Sequence, residues 1–210
     1  MAKLASTTQF AKHELRKIYQ GFKQECPNGV CKEDSFKNLF SSFFPLGDGS
    51  LYASCVFNAC KRYLNKSSIN FEQFLTILSM LSRGNLNDQI EWVFMLYDVH
   101  GDQVITKDEM MIVVKAVYLM LGSSTQPRVN DAHIRQHVDR VFKEIDIHNR
   151  GSITYEDFYS WCKKEDRMQS FAIFDTVFYE KLDYLFKDTG QILNEMDALD
   201  NLLIRKLYKQ

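Results

Sequence analysis

Asp98-Val99-His100-Gly101-Asp102-Gln103-Val104-Ile105-Thr106-Lys107-Asp108-Glu109 is the stretch that decides the fold. Twelve-residue loops that wrap a divalent cation offer oxygens at positions 1, 3, 5, 9 and 12. They use a backbone carbonyl at position 7, a glycine at 6 for the sharp turn and a bidentate Glu at 12. Asp98, Asp102, Thr106 and Glu109 fall at positions 1, 5, 9 and 12; Val104 supplies the carbonyl at 7, and Ile105 the apolar residue at 8. Two positions depart from the pattern: His100 stands at position 3, where an oxygen is wanted, and Gln103 replaces the turn glycine. A water could replace the missing oxygen. Gln103 in a conformation that favours glycine costs on the order of 1 kcal/mol. The expected ligands are Asp98, Asp102, Val104, Thr106 and Glu109, and the expected cation is calcium. Two readings stay open: a weakened calcium site, or a vestigial loop kept for helix geometry.

The pattern recurs along the chain. A second such loop runs from Asp146 to Asp157, with Gly151 at position 6 and Ile153 at position 8. Amphipathic segments precede both loops, at Ile90 to Tyr97 and His137 to Ile145; helical stretches follow, at Met110 to Leu121 and Phe158 to Lys164. Helix, loop, helix is the EF-hand unit. Paired units touch through a short antiparallel contact at position 8, so Ile105 should face Ile153. The first half carries the same rhythm without the ligands: Phe10 to Lys23 as a helix, Gln24 to Ser35 as a loop, and then Phe36 to Phe44. Ser50 to Cys60 leads into Lys61 to Gln73, which ends with the Ile69-Asn70-Phe71 cadence of a loop's end. The expected architecture is all-α, four EF-hand units in two lobes at 8–85 and 86–175, plus a C-terminal helical extension at 176–210. Gly84-Asn85 marks the junction, and Gly122 to Pro127 reads as an irregular linker.

Composition narrows the function classes. Hydrophobic residues make up 45% of the 210, enough for a sizeable core. Net charge is −1, so no bulk attraction to nucleic acid or anionic membrane is expected. Five cysteines without paired CxxC spacing argue for buried free thiols in a reducing compartment rather than disulfides or zinc. His100 and His148 share position 3 of two separate loops, which is not zinc spacing either. No apolar run reaches the roughly 20 residues of a membrane span. From Met1 to Ala5 no secretory signal is expected, nor, with Ala2 where glycine is needed, N-myristoylation. No nucleophile–base set, phosphate loop or metal-hydrolase motif occurs, so an enzyme is not expected.

Several separated motifs resemble one family. Phe22-Lys23-Gln24-Glu25-Cys26-Pro27-Asn28-Gly29 resembles the degenerate first loop of neuronal calcium sensor proteins, and Phe43-Phe44-Pro45-Leu46-Gly47-Asp48 and Ser82-Arg83-Gly84 look like that family too. Phe10 to Leu15 and Ala132 to Val138 are most similar to its Kv channel-interacting branch. The resemblance covers about residues 8–178 and implies four EF-hands facing a shared apolar groove. It implies a calcium sensor that clamps a potassium-channel cytoplasmic segment. The departures bear on the ions. The second loop holds Arg62, Leu64 and Lys66 where acids would be expected, and an extra residue disrupts its register. The first loop has Pro27 and no carboxylate at positions 1, 3 or 5. In the fourth, His148 and Arg150 stand at positions 3 and 5, and the shorter Asp157 at 12. Only the third loop is expected to hold calcium.

A partner is expected to be a protein offering an amphipathic helix to an apolar groove. Phe57, Phe74, Ile77, Leu78, Trp92, Phe94, Tyr97, Val114 and Val117 are among the candidate walls, alongside Phe40, Phe43, Phe44, Tyr118 and Leu121. The tail carries Ile192, Met196, Leu199, Leu203 and Leu207 on one helical face. That face packs on its own lobe, fills the groove, or serves a partner or dimer. Two functions compete: a calcium-responsive channel modulator, and a calcium-insensitive structural or adaptor subunit of a cytoskeletal or axonemal assembly. Either is expected in the cytoplasm, recruited to a membrane channel or the cytoskeleton by its partner.

Overall fold

The computed structural model describes residues 8, 10–43, 47–121 and 130–164. Among these the fold is all-α, with eight helices and two short two-stranded sheets. In chain order the elements are α1 (Lys12–Glu25), β1 (Val30–Cys31), α2 (Glu33–Phe43), α3 (Ser50–Leu64), β2 (Ile69–Asn70) and α4 (Phe71–Arg83). There follow α5 (Leu86–Tyr97), β3 (Val104–Thr106), α6 (Lys107–Leu121), α7 (Asp131–Ile145), β4 (Ser152–Thr154) and α8 (Tyr155–Cys162). The linker expected at Gly122 to Pro127 and the tail stripe lie outside the described residues.

Several helix starts are written in the sequence as side-chain caps. Asn85 Oδ1 accepts from the Asn87 and Asp88 amides, and Asp88 returns a carboxylate to the Asn85 amide. This opens α5 directly after Gly84 closes α4, at the expected junction. Asn70 and Gln73 cap α4 reciprocally at 2.9 Å each. Helix faces are equally legible: α1 buries Leu15, Ile18 and Phe22, and α7 buries Ile134, Val138, Phe142 and Ile145. Burying one such face stabilises by about 1.5–3 kcal/mol per large side chain.

Each pair of loops is joined through its position-8 residues. Ile105 pairs with Ile153 in an antiparallel ladder, as the sequence predicts, and Cys31 pairs with Ile69 in the other. All four are fully buried. This register corrects the reading of the second loop. Counting back seven residues from Ile69 puts Arg62 at position 1, so the loop holds no extra residue.

What differs is where the helix stops. In the third and fourth loops α5 and α7 end at position 1, with Asp98 and Asp146 as C-caps. In the first loop α1 runs on to a C-cap at Cys26, position 3, and in the second α3 runs to Asn65, position 4, left-handed at φ 50°. The cause is the carboxylate. An Asp at position 1 gathers the following loop amides and so diverts the chain from the helix. Gln24 and Arg62 offer nothing comparable.

The two halves share one core. Buried side chains from Leu15 to Cys162 form a single cluster, with α3 packed against α6 and α5. Where the α2–α3 connection meets α6, Asp48 N donates to Leu119 O at 2.9 Å. A Cβ on Gly47 would stand 2.1 Å from the Met120 carbonyl, so only glycine fits. Phe57, Phe74, Ile77, Leu78, Trp92, Phe94, Tyr97, Val114 and Val117, expected as groove walls, are buried in this core. The five cysteines are free and buried, as expected. Burial pushes every one of these thiols up, Cys162 to about 12. No described helix is long and apolar enough to cross a membrane.

Candidate metal centre

The third loop is folded by Asp98. Its Oδ1 accepts the amides of Gly101 at 2.7 Å and Asp102 at 3.1 Å, and its Oδ2 accepts that of Gln103 at 3.0 Å. The loop needs two left-handed residues to close this way. Gly101 takes one at φ 75°; Gln103 takes the other at φ 69°, carrying the strain its side chain implies. Asp102 Oδ1 accepts the Val104 amide at 3.3 Å. Glu109 is brought back by the first turn of α6. Its Oε2 accepts from the Thr106 amide at 2.8 Å and the Thr106 hydroxyl at 2.7 Å.

Three of the expected ligands therefore converge. One oxygen each from Asp98, Asp102 and Glu109 lie within 4.8 Å of one another; Asp98 and Glu109 are buried. Oxygens sharing one calcium at 2.3–2.6 Å stand no more than roughly 5.2 Å apart, so this spread fits the ion. Hard carboxylate oxygens suit calcium or magnesium better than a transition metal. Val104 lies on β3, paired with Thr154, at the loop position that supplies a carbonyl. Thr106, expected as a ligand, has its hydroxyl donating to Glu109 and capping α6, so it also orients a ligand.

His100 fills position 3 in a way the sequence did not suggest. Its backbone amide and its ring Nδ1 both reach Glu109 Oε1, at 2.9 and 2.7 Å. The imidazole thus occupies one oxygen of the residue expected to bind bidentately. Burial pushes the Glu109 carboxyl up, but the bonds from Thr106 and His100 outweigh it and hold the group below its ordinary 4.5.

The fourth loop has the same frame with a cation already supplied. Asp146 gathers the Arg150 and Gly151 amides at 2.9 and 2.8 Å, and Thr154 caps α8. The Arg150 guanidinium then closes on Asp157 Oδ2, and His148 Nε2 stands 3.9 Å from Oδ1. Burial pushes Asp157 up, but hydrogen bonds from Thr154 and the Arg150 guanidinium outweigh this and hold it below 3.8. The position-5 side chain that should bind an ion neutralises the position-12 carboxylate instead.

These depressed carboxyls set an acid limit. A group whose folded pKa lies below its unfolded value contributes stability that is complete above the unfolded value. That contribution is lost as pH falls through the folded one. Urea midpoints should therefore hold level down to about pH 5, just above the unfolded value of Glu109, and then decline. Glu109→Gln should flatten part of that decline; an unchanged acid profile in the variant would remove Glu109 from the cause.

One residue of the second loop also belongs to the third. Arg62 does not sit in a cage of its own. Its Nη2 donates to the carbonyls of Met95 and Asp98, both at 2.8 Å, and its Nη1 to that of Val99 at 3.1 Å. Position counting could flag Arg62 as a failed ligand but not its reach across 33 to 37 residues. Residues 87–163, which carry the paired third and fourth loops, match the family model described as an EF-hand domain pair.

Proposed function

We propose that this is a calcium-responsive regulatory protein with one working cation loop, the third. The observation that carries this reading is the convergence of the Asp98, Asp102 and Glu109 carboxylates, two of them buried, within 4.8 Å. Like charges held that close in low dielectric favour a divalent cation between them. The EF-hand pair over residues 87–163 supports calcium binding in general. Regulation by gripping an amphipathic segment of a larger partner, such as a potassium-channel cytoplasmic segment, rests on the motifs resembling the channel-interacting branch. Recruitment from the cytoplasm to a membrane channel follows from the same resemblance.

A second reading has its own support. Pairing of His100 with Glu109 and of Arg150 with Asp157 satisfies both position-12 carboxylates without an ion. On that reading the protein is a calcium-insensitive adaptor, for example in an axonemal assembly, and the EF-hand geometry serves only as a clamp.

Calorimetric titration of the full chain with calcium, magnesium present, separates the two. One ion in the micromolar range is expected; no uptake below millimolar favours the adaptor. The double change His100→Asn, Gln103→Gly should tighten binding at least about tenfold, or roughly 1.4 kcal/mol. It frees Glu109 Oε1 from the imidazole and relieves the left-handed Gln103. Equal affinity would mean that neither defect limits the site.

A further inference from the structure

Arg62 stands at position 1 of the second loop, yet its side chain bridges the two halves of the chain. The end of a helix leaves carbonyls without intrahelical partners and carries partial negative charge. At the end of α5, the Asp98 amide bonds Phe94 O and the Val99 amide bonds Tyr97 O. Met95 O is served by Arg62, from the other half of the chain, and the same guanidinium takes the carbonyls of Asp98 and Val99. These are charge-assisted bonds to positions 1 and 2 of the third loop. The stem is pressed close as well. A Cβ on Gly101 would come within 3.0 Å of Arg62 Cδ, so position 4 of the loop also rests on this side chain.

We propose that Arg62 is a positioning residue for the third loop, and that through it cation occupancy of the loop is coupled to α3. The proposal rests on the reading of that loop as a calcium site. The Asp98 carboxylate faces into the loop, where it gathers amides, while its own carbonyl is held outward by Arg62. Any shift of Asp98 on taking an ion is therefore felt by a guanidinium fixed to the last turn of α3. That helix is buried along Tyr52, Val56, Ala59 and Cys60 and packs against both α5 and α6, so it transmits the shift instead of absorbing it. Coupling of this kind is reciprocal: what the latch does for calcium affinity, calcium does for the order of α3.

Charge alone predicts the opposite sign. A guanidinium near a divalent ion repels it, so its removal would tighten binding. The two effects are separable, because lysine keeps the charge but loses the fork that serves three carbonyls. The experiment uses the full chain as wild type, Arg62→Lys and Arg62→Gln, with calcium chloride alone as the probe. Calorimetry should show affinity weakened about threefold in the Lys variant and about tenfold in the Gln variant. Hydrogen exchange without metal should speed up at Gly101 to Gln103 in both variants and stay unchanged at the β1–β2 ladder, which excludes general loosening. Calcium should slow exchange at Lys61 to Asn65 in the wild type, and this slowing should vanish in both variants. Unaltered or tighter binding in Arg62→Gln, or a wild-type α3 indifferent to bound calcium, overturns the proposal. If the wild type takes up no calcium, the calcium reading itself has failed. The metal-free exchange then decides whether Arg62 positions the loop, and unaltered exchange at Gly101 to Gln103 denies it that role.

Discussion

Glu109→Gln is expected to weaken calcium uptake at the third loop by more than about a hundredfold, close to 3 kcal/mol, leaving none in the micromolar range. The substitution removes one of three converging charges and the carboxylate at position 12. It should not cost the fold. Loop two already has glutamine at position 12: Gln73 caps α4 with Asn70 at 2.9 Å in both directions. An amide at position 109 can accept from the Thr106 amide in the same way. A calorimetric titration showing wild-type affinity in a folded Glu109→Gln protein would place the ion elsewhere and end the ligand assignment. Circular dichroism on the same sample confirms that the helices persist.

Arg150→Asp is expected to turn one bound calcium into two. The change removes the guanidinium that closes on Asp157 and puts a carboxylate at position 5, altering the local charge by two units. The remaining frame needs no rebuilding, because Asp146 already gathers the loop amides and Gly151 already holds its left-handed turn at φ 75°. The new site should be weaker than the third, since His148 still occupies position 3 and Asp157 is shorter than Glu. Uptake should nonetheless rise by about a hundredfold over a wild-type loop that carries its own cation. Without calcium the variant loses its neutralising partner, so exchange at Arg150 to Ser152 should quicken and slow again on adding the ion. A stoichiometry still at one would show that His148 and the short Asp157, not Arg150, silence the loop.

Much of the fold was readable because local chemistry and tertiary position agree. Position 8 of each loop is apolar and meets its partner as the spacing requires, Ile105 against Ile153. Asn85 announces a helix start because a short side chain accepting two amides is the cheapest way to open one. The candidate site was readable only as a set of positions. Asp98, Asp102 and Glu109 do converge, but Thr106 serves as a cap, and His100 turns onto Glu109. Such side-chain choices depend on which neighbour offers the better hydrogen bond, and the ligand pattern does not encode that. The second loop was misread for a related reason. Without an Asp at position 1 the helix continues to Leu64, which makes an intact twelve-residue frame look out of register. The reach of Arg62 depends on how the two halves pack, and no local pattern records that. Phe57, Phe74, Ile77, Leu78, Trp92, Phe94, Tyr97, Val114 and Val117, named as groove walls, lie in the core, because an apolar residue at helical spacing reads the same in either place.

The five buried thiols give the molecule a built-in clock. A thiol shut in the core and held protonated there is inert to alkylating reagents, so labelling counts only molecules that have opened. Cys26, Cys31, Cys55 and Cys60 lie in the first half and Cys162 in the second. The order in which mass tags accumulate therefore records which end of the protein lets go first, with no probe added to the chain.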